Sequence, residues 1–290
     1  MNQVDSLDEN RLSEYLQQHV DGFAGPATFS KFSGGQSNPT FKIATPNATY
    51  VLRRQPPGKL LKSAHAVDRE FRVIKALSNT NVPVATPYHL CEDTDIIGSM
   101  FYVMGFCDGR IFWDAQIDSV NNEERGRIYS AMNEALANIH SLDVNAVGLG
   151  DYGRPGNYFQ RQLARWTQQY RASEIQPIEA MNSLIKWLED HMPEDDGRVS
   201  LVHGDYRLDN IIFAPDSPDI LAIIDWELST LGHPFADLAY QCMQLRMPSN
   251  VKNISGLAGI DRSALNIPSE REYVQQYCDR MGIANIDHWA

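Results

Sequence analysis

Long apolar runs are missing from this chain: the longest, such as ILAII at 220–224, are far too short to cross a bilayer. The N-terminus, MNQVDSLDEN, lacks the basic start and apolar core of a signal peptide, so a cytoplasmic protein without membrane contact is expected. Cysteine is scarce and dispersed. Cys91, Cys107, Cys242 and Cys278 form no Cys-x-x-Cys pair, which argues against a zinc site or a disulfide framework and leaves them as reduced packing residues. Positive charge is in deficit, with 25 Lys and Arg against 37 Asp and Glu and a net charge of -12. No basic stripe with interleaved aromatics offsets this, so nucleic acid is not an expected partner. The same balance repels a nucleotide triphosphate unless cations are supplied locally. Internal repeats and low-complexity tracts are also absent.

What is present is a globular composition, 43% hydrophobic and 10% aromatic, over 290 residues, enough for one large domain or two modest ones. A short amphipathic helix is predicted over 11–20. FSGGQSNPTFKI and TYVLRRQ then read as strands joined by turns at Gly34-Gly35 and Pro46-Asn47. Val67, Phe71, Ile74 and Leu77 fall on one face of a helix, and VPVATPYHL and SMFYVMGF are extended segments. After GFCDG, read as a linker near residue 105, the character turns helical through EERGRIYSAMNEALANIHSLD, YFQRQLARWTQQYRAS and IEAMNSLIKWLEDHM. Within that half, VSLVHG, NIIF and DILAIIDW are strand candidates.

Between those strands, LVHGDYRLDNIIF and the following IIDWEL gather Asp205, Asp209, Asn210 and Asp225. Two like charges ~4 Å apart cost on the order of 4 kcal/mol at an effective dielectric near 20, so an acidic cluster calls for a counter-charge. A divalent cation turns that cost into a site, and oxygen donors without a His or Cys cluster favour magnesium over zinc. The spacing His203-x-Asp205-x-x-x-x-Asn210, with Asp225 at the end of the next strand, matches the kinase form of phosphoryl transfer. There one Asp takes the acceptor proton, while an Asn and a strand-end Asp hold magnesium. Each residue taken singly reads as ordinary turn chemistry; the joint spacing carries the argument.

LVHGDYRLDNIIF followed by IIDWELSTLGHPFADLAY resembles the aminoglycoside phosphotransferase and choline kinase group. Through YVLRRQPPGKLLKSAHAVDREFRVIKAL and YFQRQLARW it is more similar to the kinase-like domains fused to some acyl-CoA dehydrogenases. The resemblance implies an α+β, protein kinase-like bilobal fold: a small antiparallel-sheet nucleotide-binding lobe over 1–105, and a larger, mainly helical lobe over 106–290 with the catalytic loop and acceptor site. It implies ATP and Mg2+, with Asp205 as base, Arg207 facing the γ-phosphate, and Asn210 and Asp225 on the metal. His203 would brace the loop. The phosphate loop would be Gly34, Gly35, Gln36, Ser37 and Asn38, and Met104 would lie in the hinge beside adenine. Arg53 occupies the place of the usual Lys, with Glu70 as its helix partner, and Arg is not equivalent to Lys in length or shape. Independently of the resemblance, Glu70 borders the buried helix face and can point inward.

Asp209 is read as a solvated or loop-bracing residue, Asp237 as a structural residue or helix cap, and His140 as a helix-ending cation suited to the dipole. The expected activity is transfer of the ATP γ-phosphoryl group to a small-molecule hydroxyl. The nearer resemblance implies a hydroxylated acyl acceptor, which Arg154, Arg161 and Arg165 would suit if it is anionic, ahead of an aminoglycoside. The alternative is a kinase-shaped nucleotide-binding or scaffold protein without phosphotransfer, to which Arg53 lends support.

Overall fold

The computed structural model describes residues 7–32, 38–56, 65–249, 256–287 and 289. Helix α1 (Glu9–His19) starts at Asp8, whose side chain accepts the Arg11 N–H at 3.1 Å, and it turns Leu12 and Leu16 inward. Strands β1 (Thr28–Lys31), β2 (Thr40–Ala44) and β3 (Thr49–Arg54) follow. The β2–β3 turn forms at Pro46-Asn47 as expected, where Thr45 N–H donates to the Ala48 carbonyl at 2.9 Å. The proposed turn at Gly34-Gly35 lies outside the described residues. Helix α2 (Val67–Leu77), β4 (Pro87–Cys91) and β5 (Phe101–Gly105) complete an antiparallel sheet of order β1-β2-β3-β5-β4. In β2, Phe41 and Ile43 are buried and their neighbours half-exposed, the alternation of a strand with one covered face. The central β3 instead buries Tyr50, Val51 and Leu52 in succession, and Tyr50 and Leu52 pack into the core with Leu12 and Leu16 of α1.

The second half is mainly helical. Helices α3 (Asn122–His140), α4 (Tyr158–Ser173) and α5 (Glu179–Asp190) fall where the periodicity predicts them. Strands β6 (Ser200–Val202), β7 (Ile211–Phe213), β8 (Ile220–Ile223) and β9 (Thr230–Gly232) pair as β6-β9 and β7-β8. Helices α6 (Phe235–Arg246) and α7 (Glu270–Met281) close the fold. A small core under α1 holds Leu16, Ile43 and Phe101, while a larger one runs from Phe71 and Ile74 of α2 through Ile128 and Met132 to Leu238 and Tyr277. Helix α2 therefore ties the sheet to the helical half, and the architecture is the bilobal α+β fold expected. All four cysteines are free, and three of them are buried. Among the described residues no helix is long and apolar enough to cross a membrane.

Candidate active site

The segment 203–210 links β6 to β7, and β8 returns beside β7 so that Ile224 N–H donates to the Asn210 carbonyl at 2.9 Å. This register places Asn210 and Asp225 at the same end of one hairpin. Asp225 is left-handed (φ 66, ψ 55), a conformation that Asp tolerates better than most residues. Gly204 at φ +85 has no such latitude for a side chain: a Cβ there would lie 2.7 Å from the Leu228 carbonyl oxygen.

His203 is buried and braces this loop. Its Nδ1 lies 3.2 Å from the Asp205 N–H and accepts from it, which leaves Nε2–H to donate to the Ile224 carbonyl at 3.0 Å. Burial pushes its pKa below the ordinary His value, consistent with that neutral tautomer. Asp237 accepts the backbone N–H of His203 at 2.7 Å and that of Gly204 at 2.9 Å. It is thus a clamp on the loop rather than a helix cap; the residue capping α6 is Pro234, which makes no side-chain cap bond. His140 also differs from expectation. It does end α3, but its ring is buried between Tyr277 OH at 2.7 Å and Asp237 Oδ2 at 3.3 Å, because α6 and α7 cover that helix end.

The Asp205 carboxylate is held on both oxygens. Asn210 Nδ2 donates to Oδ2 at 2.9 Å and also to the Asp205 carbonyl at 2.9 Å. Tyr240 OH donates to Oδ1 at 2.6 Å. Arg207 lies beside them, with Nε 3.4 Å from Asp205 Oδ1 and Nη2 2.9 Å from Asp209 Oδ2. Asp209 is accordingly an ion-pair partner in the loop, and burial raises its pKa against the pull of Arg207. Tyr240 carried no signal of its own in the sequence, since its role depends on α6 lying against the loop.

Arg53 joins the sheet to this end of the hairpin. Its Nε is 2.9 Å from Glu70 Oε2, and its Nη2 is 2.6 Å from Asp225 Oδ1 and 3.5 Å from Glu227 Oε2. Burial opposes the charge on Arg53, but Glu70, Asp225 and Glu227 around it raise its pKa above the ordinary Arg value. Glu70 is almost fully buried, as its place on α2 allowed, and burial pushes its carboxyl up to about 7 against the lowering effect of Arg53. Asn38 is buried as well, with Nδ2 3.4 Å from Glu227 Oε2 and Oδ1 3.1 Å from His65 Nδ1. Glu227 was not singled out in the sequence, although it lies two residues beyond Asp225. Met104 is half-buried on β5 opposite Val51. Gly34, Gly35, Gln36 and Ser37 lie outside the described residues.

On α4, Arg161 donates to the Arg154 carbonyl at 2.5 Å, and Arg165 lies against the exposed Trp166 ring. Helix α4 begins close to β9: a Cβ on Gly232 would meet the Tyr158 ring at 2.3 Å. The three arginines thus sit on a helix and loop flanking the strand that follows Asp225.

The phosphotransferase enzyme family model (APH) matches residues 28–263. Mouse acyl-CoA dehydrogenase family member 10 is 46% identical over 285 residues, covering 98% of this chain and 27% of that protein. The chain therefore spans about a quarter of the length of that relative. A crystal structure of an aminoglycoside phosphotransferase candidate from Ralstonia eutropha JMP134 superposes with a TM-score of 0.87 at 48% identity, covering 97% of this chain and 82% of the other. A type VIII aminoglycoside-3'-phosphotransferase shares the fold at a TM-score of 0.61 and 16% identity, over 95% of this chain and 94% of the other. Since the matched segment begins in the antiparallel sheet and runs beyond both the Asp205–Asn210 loop and Asp225, the chain belongs to the phosphotransferase enzyme family.

Proposed function

We propose that this chain transfers the γ-phosphoryl group of ATP to a hydroxyl of a small molecule, with magnesium as the metal. The observation that carries this reading is the meeting of Asp205, Asn210 and Asp225 at one end of the β7–β8 hairpin, with Arg53 of the sheet 2.6 Å from Asp225. Among the described residues, no group of three or more His, Cys, Asp or Glu could hold a metal unaided. That fits magnesium, which takes one or two protein oxygens and completes its octahedron with phosphate and water. Asn210 commits Nδ2 to Asp205, so Oδ1 is the atom it offers to a cation beside the Asp225 carboxylate. When bound, magnesium neutralises phosphate charge as the phosphoryl group is transferred.

Asp205 orients the acceptor hydroxyl and takes its proton as the new P–O bond forms and the bond to the ADP oxygen breaks. Arg207 and Arg53 supply positive charge toward the phosphates in a molecule that otherwise repels them. Met104, on β5, lies beside the base. In this reading 1–105 is the nucleotide-binding lobe and 106–290 carries the catalytic loop and acceptor site. The likeness to an acyl-CoA dehydrogenase family member, together with Arg154, Arg161 and Arg165, supports a hydroxylated acyl acceptor carrying negative charge over a cationic aminoglycoside.

The test is a thermal-shift titration with ATP, with and without magnesium, on the parent and on Asp225→Ala. A saturating ligand adds about 2.7 kcal/mol at a hundred times its dissociation constant. A magnesium-dependent rise in the parent that vanishes in the variant is expected. The Arg53–Asp225 pair favours one rival, a scaffold whose metal ligand already has a cationic partner. No rise in the parent would favour that rival.

A further inference from the structure

Helix α6 supports the proposed base twice from one face. Asp237 clamps the backbone of His203 and Gly204, and Tyr240, three residues on, donates to the Asp205 side chain at 2.6 Å. The Tyr240 hydroxyl is half-buried, and burial followed by its hydrogen bond to Asp205 pushes its pKa up to about 12, so it stays a proton donor through the neutral range. With Asn210 on Oδ2 and Tyr240 on Oδ1, the carboxylate cannot rotate without breaking a hydrogen bond. Arg207 Nε, 3.4 Å from Oδ1, forms an ion pair with it but no directed hydrogen bond, so without Tyr240 only Oδ2 is held by a directed donor.

We propose that Tyr240 is a positioning residue for phosphotransfer: its hydroxyl locks the Asp205 carboxylate so that a free lone pair on Asp205 faces the acceptor hydroxyl. This rests on the reading of Asp205 as base. The action falls on the proton-accepting side of the site, because Tyr240 hydrogen-bonds Asp205 while Arg53 hydrogen-bonds Asp225, and Asn210 is also held by the Asp205 carbonyl, which Tyr240 does not touch. Tyr240 therefore affects turnover and leaves nucleotide affinity alone. A misplacement of about 1 Å at a reacting group costs on the order of a hundredfold in rate, which sets the scale of the effect.

The experiment compares the parent, Tyr240→Phe, Asp205→Ala and the double variant under saturating ATP and magnesium. 3-Hydroxybutyryl-CoA is the probe acceptor, product is followed by phosphate transfer, and each melting temperature is recorded. Tyr240→Phe keeps the ring and removes one oxygen. The expected result is a kcat lower by about ten- to a hundredfold, a KM for ATP within about twofold of the parent, and an unchanged melting temperature. In the Asp205→Ala background the same change should have no further effect, because the group it positions is gone. The proposal is overturned if Tyr240→Phe keeps kcat within about twofold of the parent. It is also overturned if its loss multiplies with that of Asp205→Ala, which would give Tyr240 a role independent of the carboxylate, or if the loss follows a collapse in melting temperature. A parent that binds ATP yet transfers phosphate neither to the probe nor to water overturns the phosphotransfer reading and this inference with it. A parent active alongside an equally active Tyr240→Phe overturns this inference alone.

Discussion

Asp205, proposed as the base, and Asp225, proposed as a metal ligand, sit within one short segment yet are given separable duties. Replacing Asp205 with Ala removes the proposed proton acceptor while leaving the Arg53–Glu70 and Arg53–Asp225 pairs in place. Steady-state kinetics should then show turnover lower by about two to four powers of ten, with the KM for ATP nearly unchanged. Glu70 gives a test that needs no substrate. Its carboxyl is raised to about 7 from an ordinary 4.5, so the folded protein retains a proton there that the unfolded chain releases. Stability from this group is fully present below pH 4.5 and is lost as pH rises toward about 7. Glu70→Gln has no proton to lose, so its denaturation free energy should rise relative to the parent across that window; a constant difference between the two would contradict the assignment. The inward placement of Glu70 was legible because its position on the helix stripe is a local matter. The Arg53–Asp225 contact was not, since its residues are 172 apart in sequence.

Among the elements, α6 holds the 203–210 loop through Asp237. In Asp237→Ala the buried N–H groups of His203 and Gly204 lose their acceptor, at about 1–3 kcal/mol each. The urea midpoint should fall accordingly with an unchanged m-value, since the surface exposed on unfolding stays the same. Helix α7 offers a contrast remote from this chemistry: Ser269 and Glu272 form a capping box, and Ser269→Ala should cost about 1 kcal/mol. Helices α2 and α4 were predictable because their patterns conform to a single period. Helix α6 was not singled out, because Asp237 and Gln241 stand on its buried face and interrupt the apolar stripe. Helix α7 carried a readable signature, Ser269-x-x-Glu272 at its start and Gly282 at its end, that the sequence reading passed over. Strand β9 spans three residues, too few to display an alternation.

For the molecule as a whole, several exposed carboxylates favour the folded state at neutral pH, each weakly because solvent screens it. The Arg72 side chain lowers the Asp151 pKa, the N–H groups of Asn157 and Gly197 lower that of Asp195, and Ser269 lowers that of Glu272. These groups contribute stability above their unfolded pKa values and lose it as pH falls, the opposite sign to Glu70. The melting temperature should therefore drop as pH is taken below about 4, which calorimetry across pH would register. The resemblance carried by the sequence implied the bilobal class. The sequence alone determined the positions of α2, α4 and the β7–β8 hairpin and the Asp205–Asn210 spacing, which are encoded by periodicity or by residues a few positions apart. Only the tertiary structure decided that Tyr240, 35 residues beyond Asp205, donates to its carboxylate. It likewise decided that Asp237 clamps the loop and that Arg53 joins Glu70 to Asp225 and Glu227. Such pairings arise when α6 packs on the loop and the sheet closes over the hairpin, and a side-chain hydrogen bond between elements leaves no periodic trace in the chain that makes it.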